Sequence, residues 1–323
     1  MTAPLPSRFP SPGLAALACG LLLSACGGGG GGSGTMPVLG VPSLSQLDAT
    51  ATSANASAAG EDTASAVDAI VDATASVALT LPAASATVDC AGGGTATVTV
   101  SGGTLAGELD GQLDAGEHYS VVFAQCSDNA GSARLNGGVE LDVLAADRST
   151  SPQTLAVHLA VSHLTLAQPS GTVTLDGTAG VSRSVAVSGG TTTTVSHVSV
   201  PSATLSTALG GHRAALTVSD LDATRTRTSV GGVTTASQFD GRMTLAGSAD
   251  GRTLSLSFAT VGDVSHGATG TLVSGAWTVV RPDATITTTV AGGLVVMTTD
   301  DGNDGTIDHT WTFPTAQLEA AAG

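Results

Sequence analysis

The chain contains no lysine: all ten basic residues are arginine, set against 26 Asp and Glu, for a net charge of −16. Charged residues make up 11% of the sequence, well under the ~25% of ordinary soluble domains, and aromatics only 2%. Each shortage excludes something. A surface this acidic cannot neutralise a run of phosphates, so no nucleic acid is expected as a partner; anionic lipid headgroups are repelled in the same way. The scarcity of rings predicts a core of Val, Leu and Ala. It also argues against a transmembrane barrel, which carries aromatic girdles at both interfaces. No apolar run reaches the ~20 residues that a membrane-spanning helix needs. Gly-x-Ser-x-Gly and His-Glu-x-x-His are both missing, and without lysine no Ser-Lys dyad can form. The expectation is therefore a protein that is not an enzyme, with a Ser-His-Asp triad assembled only in the fold as the alternative.

In place of the missing types stand Thr, Ser, Val, Ala and Gly. Branching at Cβ suits Val and Thr to a pleated sheet, and the 43 glycines supply turns. Alternation of apolar and polar residues is clear in 95–100, 118–126 and 139–143. It continues through 155–161, where the pattern slips at His163–Leu164 and predicts a bulge. Further alternating segments lie near 173–175, 195–200, 215–218, 254–258, 277–279, 294–297 and 307–313. Gly-Gly pairs at 189–190, 210–211, 231–232 and 292–293, with Asp250-Gly251, punctuate them. Short strands with such turns predict an all-β fold, a large antiparallel meander as a curved sheet or a sandwich, over 86–314. A division near 190–205 stays open. Leu135-Asn136-Gly137, Leu175-Asp176-Gly177 and Phe239-Asp240-Gly241 recur at intervals of 40 and 64 residues. Asn-Gly and Asp-Gly favour positive φ, so a hairpin turn is expected at each.

Ahead of the sheet, Val67, Ile70, Val71 and Val77 recur at helical spacing behind Glu61 and Asp62. This predicts one short N-terminal helix over 61–77, with its connection running to 85. Residues 26–60 read as a flexible tether, starting with the Gly-rich run 27–34. Residues 315–323 read as a C-terminal tail.

Residues 1–25 combine Arg8 with a short apolar run over 13–25, in the manner of a secretory signal peptide. Leu23-Ser24-Ala25-Cys26 resembles a bacterial lipobox, the processing signature of lipoproteins. The resemblance implies cleavage before Cys26, a thioether diacylglycerol on its sulfur and an acylated amino terminus. The alternative is an ordinary cleaved signal followed by a chance cysteine. Loss of 1–25 removes Arg8 and no acid, taking the net charge from −16 to −17. Several acyl chains anchor a protein stably where one does not, so membrane attachment would come from the lipid. Gly27, rather than Asp, after the lipid site resembles lipoproteins released to the outer membrane.

With Cys19 in the signal and Cys26 at the lipid site, Cys90 and Cys126 remain. An even pair in an exported chain reads as one disulfide, worth roughly 3.8 kcal/mol by the chain-entropy argument; two free thiols or a metal pair are the alternatives. The segment from Cys90 to Gly138 is similar to a pattern in uncharacterised proteobacterial lipoproteins, a family that implies no activity.

The strongest local constellation is Asp300-Asp-Gly-Asn-Asp-Gly-Thr-Ile-Asp308. Hard cations want clustered oxygens. Aligned on Gly305, the segment resembles an EF-hand-like loop, with Asp300, Asp304 and Asp308 as ligands for calcium. It departs from that pattern at Gly302 and Trp311. An acidic hairpin turn is the other reading. His158 and His163, five apart on one strand, fall on opposite faces of a regular pleat and make a poor metal pair. The other five histidines, 118, 197, 212, 266 and 309, are isolated in sequence.

Function is thus expected to be that of a non-enzymatic, lipid-anchored envelope protein with a structural, binding or adhesive role. Its partners would be the membrane, through the lipid, and an envelope protein or ligand that the sequence leaves unidentified. The alternatives are a periplasmic lipoprotein holding an apolar ligand and a secreted hydrolase.

Overall fold

The computed structural model describes residues 43–78, 84–90, 92–102, 113–127, 134–168, 171–209 and 212–322. Cys26, the signal segment and the Gly210-Gly211 turn lie outside them. One helix, α1 (Gln46–Ala78), precedes fourteen strands, and a short helix, α2 (Thr315–Ala321), follows. The strands are β1 (Ser85–Asp89), β2 (Gly93–Ser101), β3 (His118–Ser127), β4 (Arg134–Asp147), β5 (Gln153–Gln168), β6 (Gly171–Ser188) and β7 (Thr191–Leu209). Then come β8 (His212–Val230), β9 (Val233–Ala249), β10 (Arg252–Gly267), β11 (Leu272–Val280), β12 (Ala284–Ala291), β13 (Leu294–Asp301) and β14 (His309–Pro314).

The strands form one antiparallel sheet in strict sequence order from β1 to β14. The expected meander is therefore a single curved sheet, and the chain runs unbroken through 190–205. Among the described residues β1 and β14 do not pair, so the sheet is open. Strands lengthen from five residues in β1 to nineteen in β7 and β8, then shorten to six in β14.

The Gly-Gly turns at 189–190, 231–232 and 292–293 join neighbouring strands with both glycines at positive φ, near +58° and +80°. That is the geometry whose twist matches a hairpin. The Asn-Gly and Asp-Gly copies turn out otherwise: all three lie inside strands, at bulges. The Asn136 Oδ1 accepts the N–H of Gln125, which has φ +51°, and the Asp176 Oδ1 accepts the N–H of His163, at φ +47°. A Cβ on Gly137 would lie 2.3 Å from the His163 carbonyl oxygen, and one on Gly177 2.7 Å from Ala203. At Asp240-Gly241, the Thr260 hydroxyl donates to the Asp240 carboxylate and accepts the Gly241 N–H. The short side chain thus satisfies a bulged neighbour, and two of the glycines make the room it needs. Pairing shifts at Phe123/Cys126, Asn136/Gly138, Val161/Leu164, Thr178/Gly180, Ser219/Asp222 and Ala259/Val264 carry these bulges across the sheet. Each one bends its strand, and together they curl the sheet.

What the sheet curls around is α1. The helix covers 33 residues, starting at Gln46 rather than 61, and is about 50 Å long at 1.5 Å per residue. It meets strands from β2 to β12, and in 46–75 only Leu47 and Asp72 are exposed. Residues 46–60, read as part of the tether, are helical because Ala, Ser and Thr are small. A helix enclosed on nearly all sides needs a thin cylinder, not an apolar stripe. At Gly60 the approach is closest: a Cβ there would stand 3.3 Å from the Phe239 ring.

Apolar residues of the sheet join those of α1 in one core, with Trp277, Tyr119 and Phe258 the largest buried side chains. The other face is polar. One row of directly paired residues runs His118, Asp142, His158, Gly180, Ser199, Asp222, Arg242, Ala259, Thr278, Thr287, Thr298 and Thr310 from β3 to β14. Exposed apolar side chains, Val122, Val280, Leu294 and Val296 among them, interrupt the polar pattern elsewhere on this face.

Candidate functional site

The acidic loop joins β13 to β14, as its flanking strands suggested. Its carboxylates are spent on the turn itself. The two Asp300 oxygens accept the N–H groups of Asp304 and Gly305, at 3.0 and 2.9 Å. Asp304 accepts from the Thr306 N–H, and Asp308 from that of Asp301. Asn303, at φ +57°, accepts the Thr285 hydroxyl and donates to the Arg281 carbonyl. Carboxylates committed to separate backbone donors do not converge on one cation. Among the described residues no group of three or more His, Cys, Asp or Glu is placed to hold a metal. Asp300, Asp304 and Asp308, the expected calcium ligands, each accept a backbone N–H in this loop. The loop instead serves as a doorway for the helix. Asp301 accepts the Leu44 N–H at 3.0 Å, and Ser43 bonds to His309 at 2.7 Å, His309 being stacked on Trp311.

Cys90 and Cys126 are disulfide-bonded, with Cα atoms 5.4 Å apart, within the distance a bridge requires. Cys90 follows β1 and Cys126 lies in β3, so the bond reaches past the intervening β2 and ties down the first three strands.

His118, His158, His163 and His197 pair with carboxylates on the outer face, while His266 meets Glu61 of α1 at 3.5 Å. His118 and His158 flank Asp142 from the neighbouring strands, at 2.6 and 3.6 Å, and hydrogen bonding from His118 holds the Asp142 carboxyl below its usual range. His197 pairs with Asp222 at 2.8 Å. The slip at His163 is a bulge, as the sequence pattern indicated, and His163 faces Asp176 while His158 faces Asp142. Among the described residues Ser, His and Asp come together twice. Ser162 and Asp176 both approach His163 through Nδ1, and Ser43 and Asp301 both approach His309 through Nε2. A relay needs the two partners on different ring nitrogens. Neither grouping has that arrangement.

Inside the curl, α1 is held at two points. The Ser53 hydroxyl bonds to Thr288 at 2.6 Å and accepts the Trp277 Nε1–H at 2.8 Å, with all three residues buried. Fifteen residues on, Asp68 takes Arg183 on one oxygen and Arg225 on the other, at 3.0 and 2.9 Å; Arg183 Nη1 donates to Asp72 and its Nε to the Ser196 hydroxyl. Between helix and sheet near Val67 and Leu159 only about 30 Å³ is left empty.

Beside the middle of α1 a chamber of about 230 Å³ is lined by Glu61, Asp62, His266, Glu319 and Trp277. Burial pushes the Glu61 carboxyl from 4.5 up to about 7; Ser57 opposes the shift, and the neighbouring Asp62 adds to it. Burial also lifts Asp62 to about 6, against Arg225, and depresses His266, against Glu319. Sequence reasoning saw Glu61 and Asp62 only as first-turn acids, because it began the helix there. The run 46–60 carries no apolar period that could have shown the true start.

No family model matches the chain, and neither a curated protein nor a solved structure resembles it.

Proposed function

We propose that this chain is a non-enzymatic, lipid-anchored protein of the bacterial envelope. It is held on the outer membrane through an acylated Cys26 and acts by surface contact in a structural, binding or adhesive role. The observation that carries the reading is that α1 runs through the concavity of the sheet. The curl of the sheet is occupied by α1 along its length, and the apolar space left near Val67 and Leu159 is about 30 Å³, far under the ~300–1,000 Å³ of small-molecule pockets. An apolar ligand held in the curve, the alternative reading, would have to displace the helix. What remains to be offered is the outer face, the rims and the openings beside α1. The two Ser-His-Asp meetings lack the geometry of a relay, which weighs against the hydrolase.

The test has two arms. Metabolic labelling with a fatty-acid analogue should mark the wild-type chain and not Cys26→Ser, and the variant should leave the membrane fraction. Labelling that persists in Cys26→Ser removes the anchor from the reading. Pull-down from envelope extract with the folded chain should capture a partner that a heat-unfolded control does not. Identical capture by both removes the surface role.

A further inference from the structure

The chamber beside α1 gathers titratable groups from three elements: Glu61 and Asp62 from α1, His266 from β10 and Glu319 from α2. Three acids and one base thus line a space of about 230 Å³. The Ser57 hydroxyl donates to Glu61 Oε1 at 3.2 Å, and His266 Nδ1 stands 3.5 Å from Glu61 Oε2. Arg225 of β8 acts on both acids of α1, but its guanidinium is held by Asp68. From β11 come Leu272 and Trp277, neither of them charged. Burial keeps both α1 acids protonated longer than usual, lifting Glu61 from 4.5 to about 7 and Asp62 from 3.8 to about 6. Once ionised, the two carboxylates call for more water than the closed chamber gives them.

Water can enter only if a wall moves. The helix α1 is clasped at Ser53 and Asp68, and β10 and β11 have ladder partners on both sides. The remaining wall, α2, stands outside the sheet. It is held by Leu318 in the core and by the Thr315 N–H on the Gly293 carbonyl at 3.0 Å. The Leu272 N–H on Glu319, at 2.7 Å, and Asn55 Nδ2 on the Ala321 carbonyl, at 3.3 Å, complete its seat. The element that can leave also brings the third carboxylate of the chamber. In acid, with Glu61 and Asp62 neutral, His266 and Glu319 attract each other instead. The signs agree. Raised acids favour the docked helix at low pH and cease to do so as pH climbs through 6 and then 7. Burial depresses His266, against Glu319, which works the other way as pH falls, but it is one group against two.

We propose that α2 is a pH-operated lid on this chamber, docked in acid and released above neutrality when Glu61 and Asp62 ionise. Its release uncovers Trp277 and Leu272. The inference goes beyond the anchor and the surface role and is tested apart from them. The experiment is amide hydrogen exchange of the full chain at pH 5 and pH 8, with rates corrected for the intrinsic effect of pH. The quantity read is the protection of residues 319–322 and of Leu272, whose N–H is donated to Glu319, relative to that of residues 50–71. The ratio cancels any change in global stability and reports local opening. In the wild type it should fall about tenfold from pH 5 to pH 8. In Glu61→Gln, which keeps the shape of the protonated acid and cannot ionise, it should fall less than about twofold. In Trp311→Phe, which leaves Trp277 as the one indole of the chain, acrylamide should quench more strongly at pH 8 than at pH 5. A ratio that holds steady in the wild type overturns the proposal. So does an equal fall in the wild type and in Glu61→Gln, which would place the pH dependence elsewhere. If Glu61→Gln does not fold, the wild-type ratio and the Trp277 quenching still decide: a falling ratio without a gain in quenching means that α2 frays while the chamber stays shut, and the lid is refuted.

Discussion

The two clasps on α1 use opposite chemistry for one task. Ser53, Thr288 and Trp277 form a neutral knot at or below 1% exposure, whereas the side chains of Asp68, Arg183 and Arg225 keep 13%, 15% and 24%. The difference follows from cost. A hydroxyl or an indole N–H can be fully buried once it is hydrogen-bonded, but a charge loses several kcal/mol of hydration that even a good partner only partly returns. The ionic clasp therefore sits where water still reaches, and the neutral one where the sheet closes over the helix. Sequence order matches this: residues 46–60 carry Asp48 as their only charge, and the acids gather from Glu61 onward.

Removing a carboxylate should hurt most. Asp68→Ala leaves two guanidiniums short of a partner and should cost about 3 kcal/mol in urea unfolding, the low end for a broken buried pair. Because these groups retain some exposure, the loss should shrink as salt rises. A loss that ignores salt would mean the clasp works by packing.

Acid-base behaviour separates the two halves further. The folded pKa of Glu61, about 7, stands above its ordinary 4.5. The folded state therefore holds the proton more tightly, and stability is greatest below about 4.5 and falls as pH rises toward 7 and beyond. With the Glu61 side chain 24% exposed, the full decline should be about 2–3 kcal/mol. Glu61→Gln should remove most of the decline between pH 6 and 8, leaving below about pH 6 the part that belongs to Asp62. A stability curve that rises over this range in the wild type and is unaltered by Glu61→Gln would contradict the buried placement of that carboxyl.

Ser53→Ala should cost about 2 kcal/mol, since it strands the Trp277 N–H and removes a partner of Thr288 in a dry site. In contrast to Asp68→Ala, its cost should be indifferent to salt and pH. Gly60→Ala should be the smallest change, under about 1 kcal/mol. The ~1 kcal/mol gained in helix propensity is set against a Cβ 3.3 Å from the Phe239 ring. Gly60→Leu, which cannot be accommodated by a small shift, should cost about 1–3 kcal/mol from overpacking.

Much of the sheet was legible because it obeys one period. Val139, Leu141 and Val143 point inward and Glu140 and Asp142 outward, as alternation requires, and Gly-Gly pairs close hairpins for a local steric reason. The bulge at His163 showed as a break in that period. The cysteine pair was found by elimination. The misreadings share a cause: a local signal with two physical outcomes. Asn136-Gly137 suits a turn or a bulge, and only the neighbouring strand selects the bulge. Residues 46–60 look like a linker because their small side chains reveal nothing until fourteen strands enclose them. Thr315–Ala321 was read as tail, yet Leu318 is buried in the core and Glu319 accepts the Leu272 N–H, contacts that no local pattern announces. In the acidic loop the sequence shows the carboxylates but not the backbone N–H groups they cap.

Everything rests on α1 being part of the interior and not a mobile lead-in. Amide hydrogen exchange of the full chain tests this directly. Amides of residues 50–71 should be protected to the same degree as those in the middle of β7 and β8, exchanging only when the whole molecule unfolds. If 50–71 instead exchanges at the rate of an unstructured peptide while the sheet stays protected, the sheet does not enclose its helix and the account fails.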